Sequence, residues 1–229
     1  MSEIIRSDEK LKQYKYLLPL AMLFITIMLT CAVLIYKPVK MWFGYASGAT
    51  LFFPCWFVLS DIIAEVYGLK VSKKILLTAF FCQLLFSLIC MLIVKLPGPV
   101  GWQYQPAFNL ILGHLFRITL CTIFTLSIAG YINMYLVTRW KIPLKGKYFW
   151  MRSSGAAILG EGIYSVIAVF LMQYGVVPLA DIPMIILWAY LSKICTTIIL
   201  TLPASVLCAF IKISEKVDVY DNSGLNPFK

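Results

Sequence analysis

The sequence predicts an all-α, polytopic membrane protein with about six transmembrane helices. Three observations lead to this fold class. Of the 229 residues, 61% are hydrophobic and 13% are charged, and the mean hydropathy is +0.87. Apolar runs long enough to cross about 30 Å of hydrocarbon recur along the chain. Most cationic residues fall between these runs. Because soluble domains are usually only about half apolar, this composition excludes a water-soluble domain.

The six predicted spans follow one another with short connections. They cover residues 17–36, 43–66, 75–94, 110–138, 153–175 and 184–211. Each meets the requirement of roughly 20 mainly apolar residues at a rise of about 1.5 Å per residue. The fourth and sixth are longer than a straight crossing needs, so we expect tilt or protrusion there. The Pro- and Gly-rich stretch 95–109 predicts an ordered or re-entrant external loop rather than a helix.

The distribution of Lys and Arg predicts that both termini are cytoplasmic, because cytoplasmic connections carry the excess of these residues. Fifteen of the 20 lie on one side of the predicted bundle, three on the other and two within spans. We expect a single transmembrane domain, residues 1–229. Its parts are a polar cytoplasmic N-terminus at 1–15, a helical core at 16–211 and a cytoplasmic tail at 212–229, frayed from Glu215 onward.

Six ionisable side chains lie inside the predicted spans, where a charge costs about 2.5 to 3.5 kcal/mol on insertion scales. They are Asp61 and Glu65 in the second span, His114 and Arg117 in the fourth, Glu161 in the fifth and Lys193 in the sixth. Spacings of three or four residues place each of the two pairs on one helix face. The acids and the permanent cations nearly balance, which indicates a shared polar interior.

Simpler interpretations stay open for several of these side chains. Glu65 lies near the cytoplasmic side and could pair with the lysines at 70, 73 and 74. Arg117 could extend its charge to the outer interface, and His114 could be a structural histidine. Asn133 is typical of hydrogen bonds between helices.

The sequence contains no signature of a known catalytic site. The motifs H-E-x-x-H, G-x-S-x-G and the Walker loop are absent, and a single histidine excludes a multi-histidine metal or haem site. The seven cysteines form no C-x-x-C pair. We therefore predict a transporter rather than an enzyme, with no catalytic residue, no metal, no cofactor and no nucleic-acid partner.

One segment carries a family resemblance. "SDIIAEVYGLKVSKK", residues 60–74, is similar to the D-I-I-x-E-V-Y-G-x-K-x-A-R segment of the queuosine-precursor transporter family, in the VUT group of vitamin-uptake-type membrane proteins. The later order is also similar: a Pro-rich loop ending in "FN", Arg117 in the fourth span, a basic loop, and Arg152 followed by "SSG" at the start of the fifth span. The resemblance covers roughly residues 40–210.

This resemblance implies a multi-pass transporter of the bacterial inner membrane that imports deazaguanine bases, namely queuine and its nitrile and aminomethyl precursors. The expected partners are that small-molecule substrate, the lipid bilayer, a coupling proton or other ion, and a second copy in a homodimer. A carboxylate can accept the adjacent N–H groups of such a base, and a cation can donate to its carbonyl. The expected substrate-binding residues are Phe53, Trp56, Asp61, Glu65, His114, Arg117, Asn133, Glu161, Tyr164 and Lys193.

The chain departs from the family pattern at three of these positions. Asn133 stands where an acid is common, Glu161 lies near the usual Gln, and Tyr164 lies near the usual Asp. The preferred ligand could therefore differ. Three alternatives stay open: a transporter of another small, vitamin-like planar solute, a substrate-binding subunit of an energised complex, and an intramembrane enzyme.

Overall fold

The computed structural model describes residues 14–41, 44–175 and 177–220. Within them the chain forms α1 (Leu17–Leu34), β1 (Pro38–Met41), β2 (Gly44–Ser47), α2 (Gly48–Tyr67), α3 (Leu69–Lys95), α4 (Gln105–Leu112), α5 (Leu115–Lys141), α6 (Phe149–Gln173) and α7 (Ile182–Glu215). Among these described residues, six segments are long and apolar enough to cross a membrane, with α4 and α5 together forming one of them. The predicted six-span α-helical fold is confirmed. The expected polar N-terminus up to residue 13 and the tail from residue 221 lie outside the described residues.

A β-hairpin replaces the predicted start of the second span. The span was expected from residue 43, but β1 and β2 pair antiparallel and α2 begins only at Gly48. Ser47 fixes this junction, because its hydroxyl accepts the Ala49 N–H at 3.2 Å and donates to the Ile35 carbonyl at 2.8 Å. Serine is a favoured N-cap for this reason.

The stretch 95–109 is a loop in its first part only, so the prediction of a loop without helix was wrong at its end. Residues 96–104 contain turns, whereas α4 begins at Gln105. Pro106 lies in the first turn of α4, where its missing N–H removes no helical hydrogen bond. The segment at Gly113 and His114 then separates α4 from α5.

Helix α2 lies at the centre of the bundle and packs against α1, α3, α5, α6 and α7. In its most apolar window, 78% of the residues are buried, against 22 to 39% in the other spans. Phe53, Trp56 and Phe57 form its aromatic core, and the Trp56 ring lies 4.7 Å from that of Phe24 on α1. The polar groups of α2 are therefore enclosed by protein, while the other helices present apolar side chains outward.

The bundle has two ends that differ in composition. We call the end with the β-hairpin, the loop 96–104 and the segment 177–181 the hairpin end. The opposite end carries the connections near residues 68, 142–148 and 216–220, and we call it the basic end. Gly68, at φ +86°, reverses the chain there directly from α2 into α3, a conformation that glycine adopts without strain.

Candidate functional site

Glu65 forms the centre of an ion-pair network at the basic end. Its carboxylate accepts two hydrogen bonds from Arg152, at 2.6 and 2.9 Å, and one from Lys212 at 2.6 Å. The ammonium of Lys141 lies 3.8 Å from the same carboxylate and donates to the Glu65 carbonyl at 2.7 Å. Asp218 pairs with Lys141 at 2.5 Å and with Lys212 at 2.8 Å. We call these five residues the basic-end cluster.

The basic-end cluster changes the interpretation of two sequence features. The alternative that Glu65 pairs with nearby lysines of the next helix is wrong, because its partners are cations from α5, α6 and α7; its role in substrate binding stays a prediction. Lys141 and Arg152, which flank the basic loop between the fourth and fifth predicted spans, are about 1% exposed. The family-like "R152-S-S-G" segment was the signal that could have identified Arg152.

The tail joins this network instead of fraying immediately after α7. The Val219 N–H donates to the Val66 carbonyl at 3.2 Å, and Lys141 donates to the Val219 carbonyl at 2.6 Å. Partial burial alone would raise the pKa of Asp218, but the hydrogen bonds from Lys141 and Lys212 hold it below its ordinary value. Residues 217–220 therefore cover the ends of α2, α5 and α7.

Asp61 lies one helical turn deeper than Glu65 and is fully buried. Its carboxylate accepts hydrogen bonds from Asn133 on α5 and Ser153 on α6. Within the described residues no Lys, Arg or His lies within ion-pair distance of it. Gly160 permits this close approach of α6 to α5, because a Cβ there would lie 2.9 Å from the Cβ of Asn133.

Glu161 and Lys193 occupy a second polar centre nearer the hairpin end, which we call the inner site. One Glu161 oxygen accepts a hydrogen bond from Thr197 at 2.7 Å, while Oε2 is buried with no hydrogen-bond partner among the described residues. The Lys193 ammonium donates to Ser165 at 3.2 Å. Glu161 and Ser165 of α6 and Lys193 and Thr197 of α7 are thus brought together between the two helices.

Two aromatic rings complete the inner site. Phe53 of α2 and Tyr164 of α6 stack with their centroids 4.3 Å apart and an angle of 29° between their planes. The Lys193 ammonium lies 4.5 Å from the Tyr164 centroid and 5.2 Å from that of Phe53, close enough for cation–π attraction. The predicted residues Phe53, Glu161, Tyr164 and Lys193 therefore form one cluster, although the binding role assigned to them stays a prediction.

Two adjoining cavities lead from the hairpin end to this cluster. The inner cavity, about 120 Å³, is lined by residues that include Thr50, Phe53, Tyr164, Ala189 and Lys193. The outer cavity, about 580 Å³, is lined by residues that include Tyr36, Leu110, His114 and Arg117. The two cavities share six wall residues at the end of α1 and on β2, α6 and α7, namely Ile35, Ala46, Ser47, Met172, Gln173 and Ile185.

The remaining predicted residues have mixed positions. His114 and Arg117 line the outer cavity, where Arg117 also donates to the carbonyls of Leu171 at 3.0 Å and Tyr174 at 2.8 Å. Arg117 thereby satisfies carbonyl groups at the C-terminal end of α6 that have no helical partner. Trp56 of α2 is completely buried in the hydrophobic core of the bundle and does not line either cavity.

Comparison with known families adds one finding. A family model described as "Putative vitamin uptake transporter" matches residues 47–208. The matched range runs from the start of α2 through most of α7 and contains the inner site, Asp61, and the Glu65, Lys141 and Arg152 members of the basic-end cluster. No curated protein and no solved structure matches the chain.

Proposed function

Since the chain belongs to the vitamin uptake transporter family, we propose that it imports queuosine precursors. These are deazaguanine bases such as queuine and its nitrile and aminomethyl precursors. The family supports small-solute uptake across a membrane, and the segment 60–74, which resembles queuosine-precursor transporters, supports the substrate class. The location that goes with this proposal is the inner membrane of a bacterium.

The observation that carries the proposal is the chemistry of the inner site. A guanine-like base has a flat face, a carbonyl acceptor and adjacent N–H donors. The stacked rings of Phe53 and Tyr164 offer an aromatic surface, and Lys193 on the cavity wall offers a donor for the carbonyl. Glu161 lies behind this wall, and its Oε2 has no hydrogen-bond partner in the part of the chain that the structure describes. We expect the base to gain access to that acceptor when Lys193 turns toward the base carbonyl.

The two ends of the bundle support transport by alternating access. Both cavities adjoin the hairpin end, whereas the basic-end cluster and residues 217–220 lie across the opposite end. The site between them lies in the interior of the bundle, as is usual for secondary transporters. We infer that release of the solute requires the basic-end cluster to open.

Coupling to protons or to another ion is part of the proposal, with Asp61 and Glu161 as the groups that would carry it. Both are completely buried acids, and neither forms a direct ion pair with a described residue. Such carboxyls are suited to exchange a proton between the two states of a transporter. If accumulation in proteoliposomes did not change with an imposed pH gradient, proton coupling through these acids would be excluded.

The direct test is uptake of labelled queuine and its two precursors by cells that cannot synthesise them. Expression of the wild-type chain should restore uptake, and Glu161→Gln and Asp61→Asn should each reduce the initial rate by about tenfold or more at equal membrane abundance. Asp181→Asn, at the exposed start of α7, is the matched control and should retain the wild-type rate. Equal uptake rates in cells with and without the wild-type chain would exclude queuine and its precursors as substrates.

Another small, vitamin-like planar solute is the second candidate. The family description favours it, and so does the departure of Asn133, Glu161 and Tyr164 from the pattern of queuosine-precursor transporters. Competition of guanine-like bases with other flat solutes separates the two candidates. The mass of the purified protein tests whether it forms a homodimer. Co-purification of other subunits tests whether it is the substrate-binding part of an energised complex.

A further inference from the structure

The ionisable side chains that line the two cavities are unequal in sign. Lys193 lines the inner cavity and Arg117 lines the outer one, whereas His114, also on the outer wall, carries no permanent charge. The other titratable wall residues are the tyrosines Tyr36 and Tyr164, whose neutral form is the ordinary one near pH 7. No Asp or Glu is among the described residues that line either cavity.

The acids of the bundle are held away from the cavity walls. Glu161 accepts a hydrogen bond from Thr197 behind Lys193, so this pair turns its positive end toward the inner cavity. Asp61 is enclosed by Asn133 and Ser153 on the far side of the inner site. The field at the cavity wall is therefore dominated by the nearer, positive charges, because the Coulomb energy falls with distance.

The described connections at the hairpin end add to the same field. They carry three lysines, Lys37, Lys40 and Lys95, and one acid, Asp181. A cleft lined by one sign of charge and bounded by apolar walls raises the local concentration of solutes of the opposite sign. The same cleft lowers the local concentration of cations.

We propose that this electropositive access path makes the transporter selective for neutral or anionic planar solutes against organic cations. The inference rests on the proposed function and sharpens it. Within the deazaguanine class, the neutral nitrile base is preferred to the aminomethyl base, whose amine is protonated near neutral pH. The discrimination arises from Lys193 at the aromatic surface and from Arg117 in the outer cavity. Its expected size is about tenfold, the lower end of electrostatic focusing in charged clefts.

The first test measures the sign of the field without any substrate. A cysteine is introduced as Ala46→Cys, shared by both cavities, or as Ala189→Cys in the inner cavity. It is modified with an anionic sulfonatoethyl or a cationic trimethylammonium-ethyl methanethiosulfonate, and mass spectrometry of the peptide measures each rate. The ratio of the anionic to the cationic rate, divided by the same ratio for free cysteine, is expected to be about 10. A normalised ratio at or below one overturns the inference.

Charge variants show which residues produce the ratio. Lys193→Gln and Arg117→Gln should each lower it several-fold, whereas Lys193→Arg keeps the charge and should preserve it. Because Arg117 also donates to the C-terminal carbonyls of α6, Arg117→Lys, which keeps a positive charge, is its matched control and should preserve the ratio. An unchanged ratio in both Lys193→Gln and Arg117→Gln would contradict the assignment.

The second test compares uptake of the nitrile and aminomethyl bases in competition. The wild-type chain should prefer the nitrile base about tenfold, and Lys193→Gln should reduce this preference. If the reagent ratio is high but neither base is transported, the substrate of the proposed function is wrong while the selection for charge holds. If the nitrile base is transported without preference and the reagent ratio is near one, the proposed function holds and this inference is wrong.

Discussion

Glu65 and Glu161 are equally buried, at 0% exposure, but their surroundings differ completely. Glu65 has both oxygens bonded, with Arg152 and Lys212 in direct contact. Glu161 has one oxygen bonded to a hydroxyl and the other without a partner among the described residues. Its cation, Lys193, faces a cavity instead.

The difference indicates which carboxylate maintains the structure and which is available for a ligand. A fully bonded buried network favours one arrangement of the helices, because each of its groups would be costly to leave unpaired. A buried carboxylate oxygen with no partner is an exception in folded proteins and points to a further interaction. We therefore assign the basic-end cluster a role in holding the helices together, and we propose the inner site as the place where a solute binds.

The largest effect is expected from Glu65→Gln, which leaves Lys141, Arg152 and Lys212 close together without their central anion. Removal of one partner of a buried ion pair typically costs about 3 to 5 kcal/mol. We expect a loss of that size in the free energy of unfolding, measured by denaturant titration in detergent. The double variant Glu65→Gln, Arg152→Gln should lose less than the sum of the single variants, because the two residues interact directly. A loss in Glu65→Gln below about 1 kcal/mol would contradict the structural role.

Glu161→Gln, in contrast, should change the free energy of unfolding little and reduce uptake strongly. The amide oxygen of Gln can still accept the hydrogen bond from Thr197, so the expected loss of unfolding free energy is within about 1.5 kcal/mol. Uptake should fall by about tenfold or more. Thermal unfolding and initial uptake rates on the same preparations check this. A large loss of stability with normal uptake per folded molecule would reverse the roles of the two acids.

Phe53→Leu should weaken substrate binding by a smaller factor. It removes one ring of the stacked pair but keeps an apolar side chain of similar reach. Aromatic pairs contribute about 0.5 to 1.5 kcal/mol beyond buried area, so KM should rise by roughly 2- to 12-fold. Phe124→Leu, on the exposed face of α5, is the control and should leave KM unchanged. An unchanged KM in Phe53→Leu would remove this ring from the binding surface.

The smallest effect is expected at Asp218, which is 39% exposed. Its pKa in the folded protein is below the ordinary value near 4, so its contribution to stability is complete above that value. This contribution is lost as the pH falls through the lowered pKa and the ion pairs with Lys141 and Lys212 disappear. The difference in unfolding free energy between wild type and Asp218→Asn should be constant from about pH 6 to 8 and vanish in stronger acid. A difference that grows on acidification would contradict this assignment.

The six spans and the inner site were accessible to sequence reasoning because both depend on local patterns. Hydropathy over about 20 residues locates a span, and an ionisable side chain inside a span, such as Glu161 or Lys193, stands out because charge is costly there. Hydropathy alone predicted that the second span begins at residue 43. A hairpin forms there instead, because β1 and β2 satisfy the hydrogen bonds of each other's backbone groups.

The partners of Glu65 were not accessible in this way. Arg152 and Lys212 are 87 and 147 residues away in the chain, so only the packing of α2, α6 and α7 brings them to the carboxylate. Asp218 lies in a polar segment whose composition is typical of a frayed end. Its position depends on two lysines at the ends of other helices, which no local pattern reveals.

The sequence distance between Glu65 and its cations also has a consequence for biosynthesis. A ribosome adding about 5 to 20 residues per second needs roughly 4 to 17 seconds to make the 87 residues that separate Glu65 from Arg152. During this interval α2 has emerged but the guanidinium that neutralises its acid does not yet exist. The nascent chain must keep the Glu65 carboxylate in contact with water until α6 arrives, so the burial of α2 is completed by a later helix.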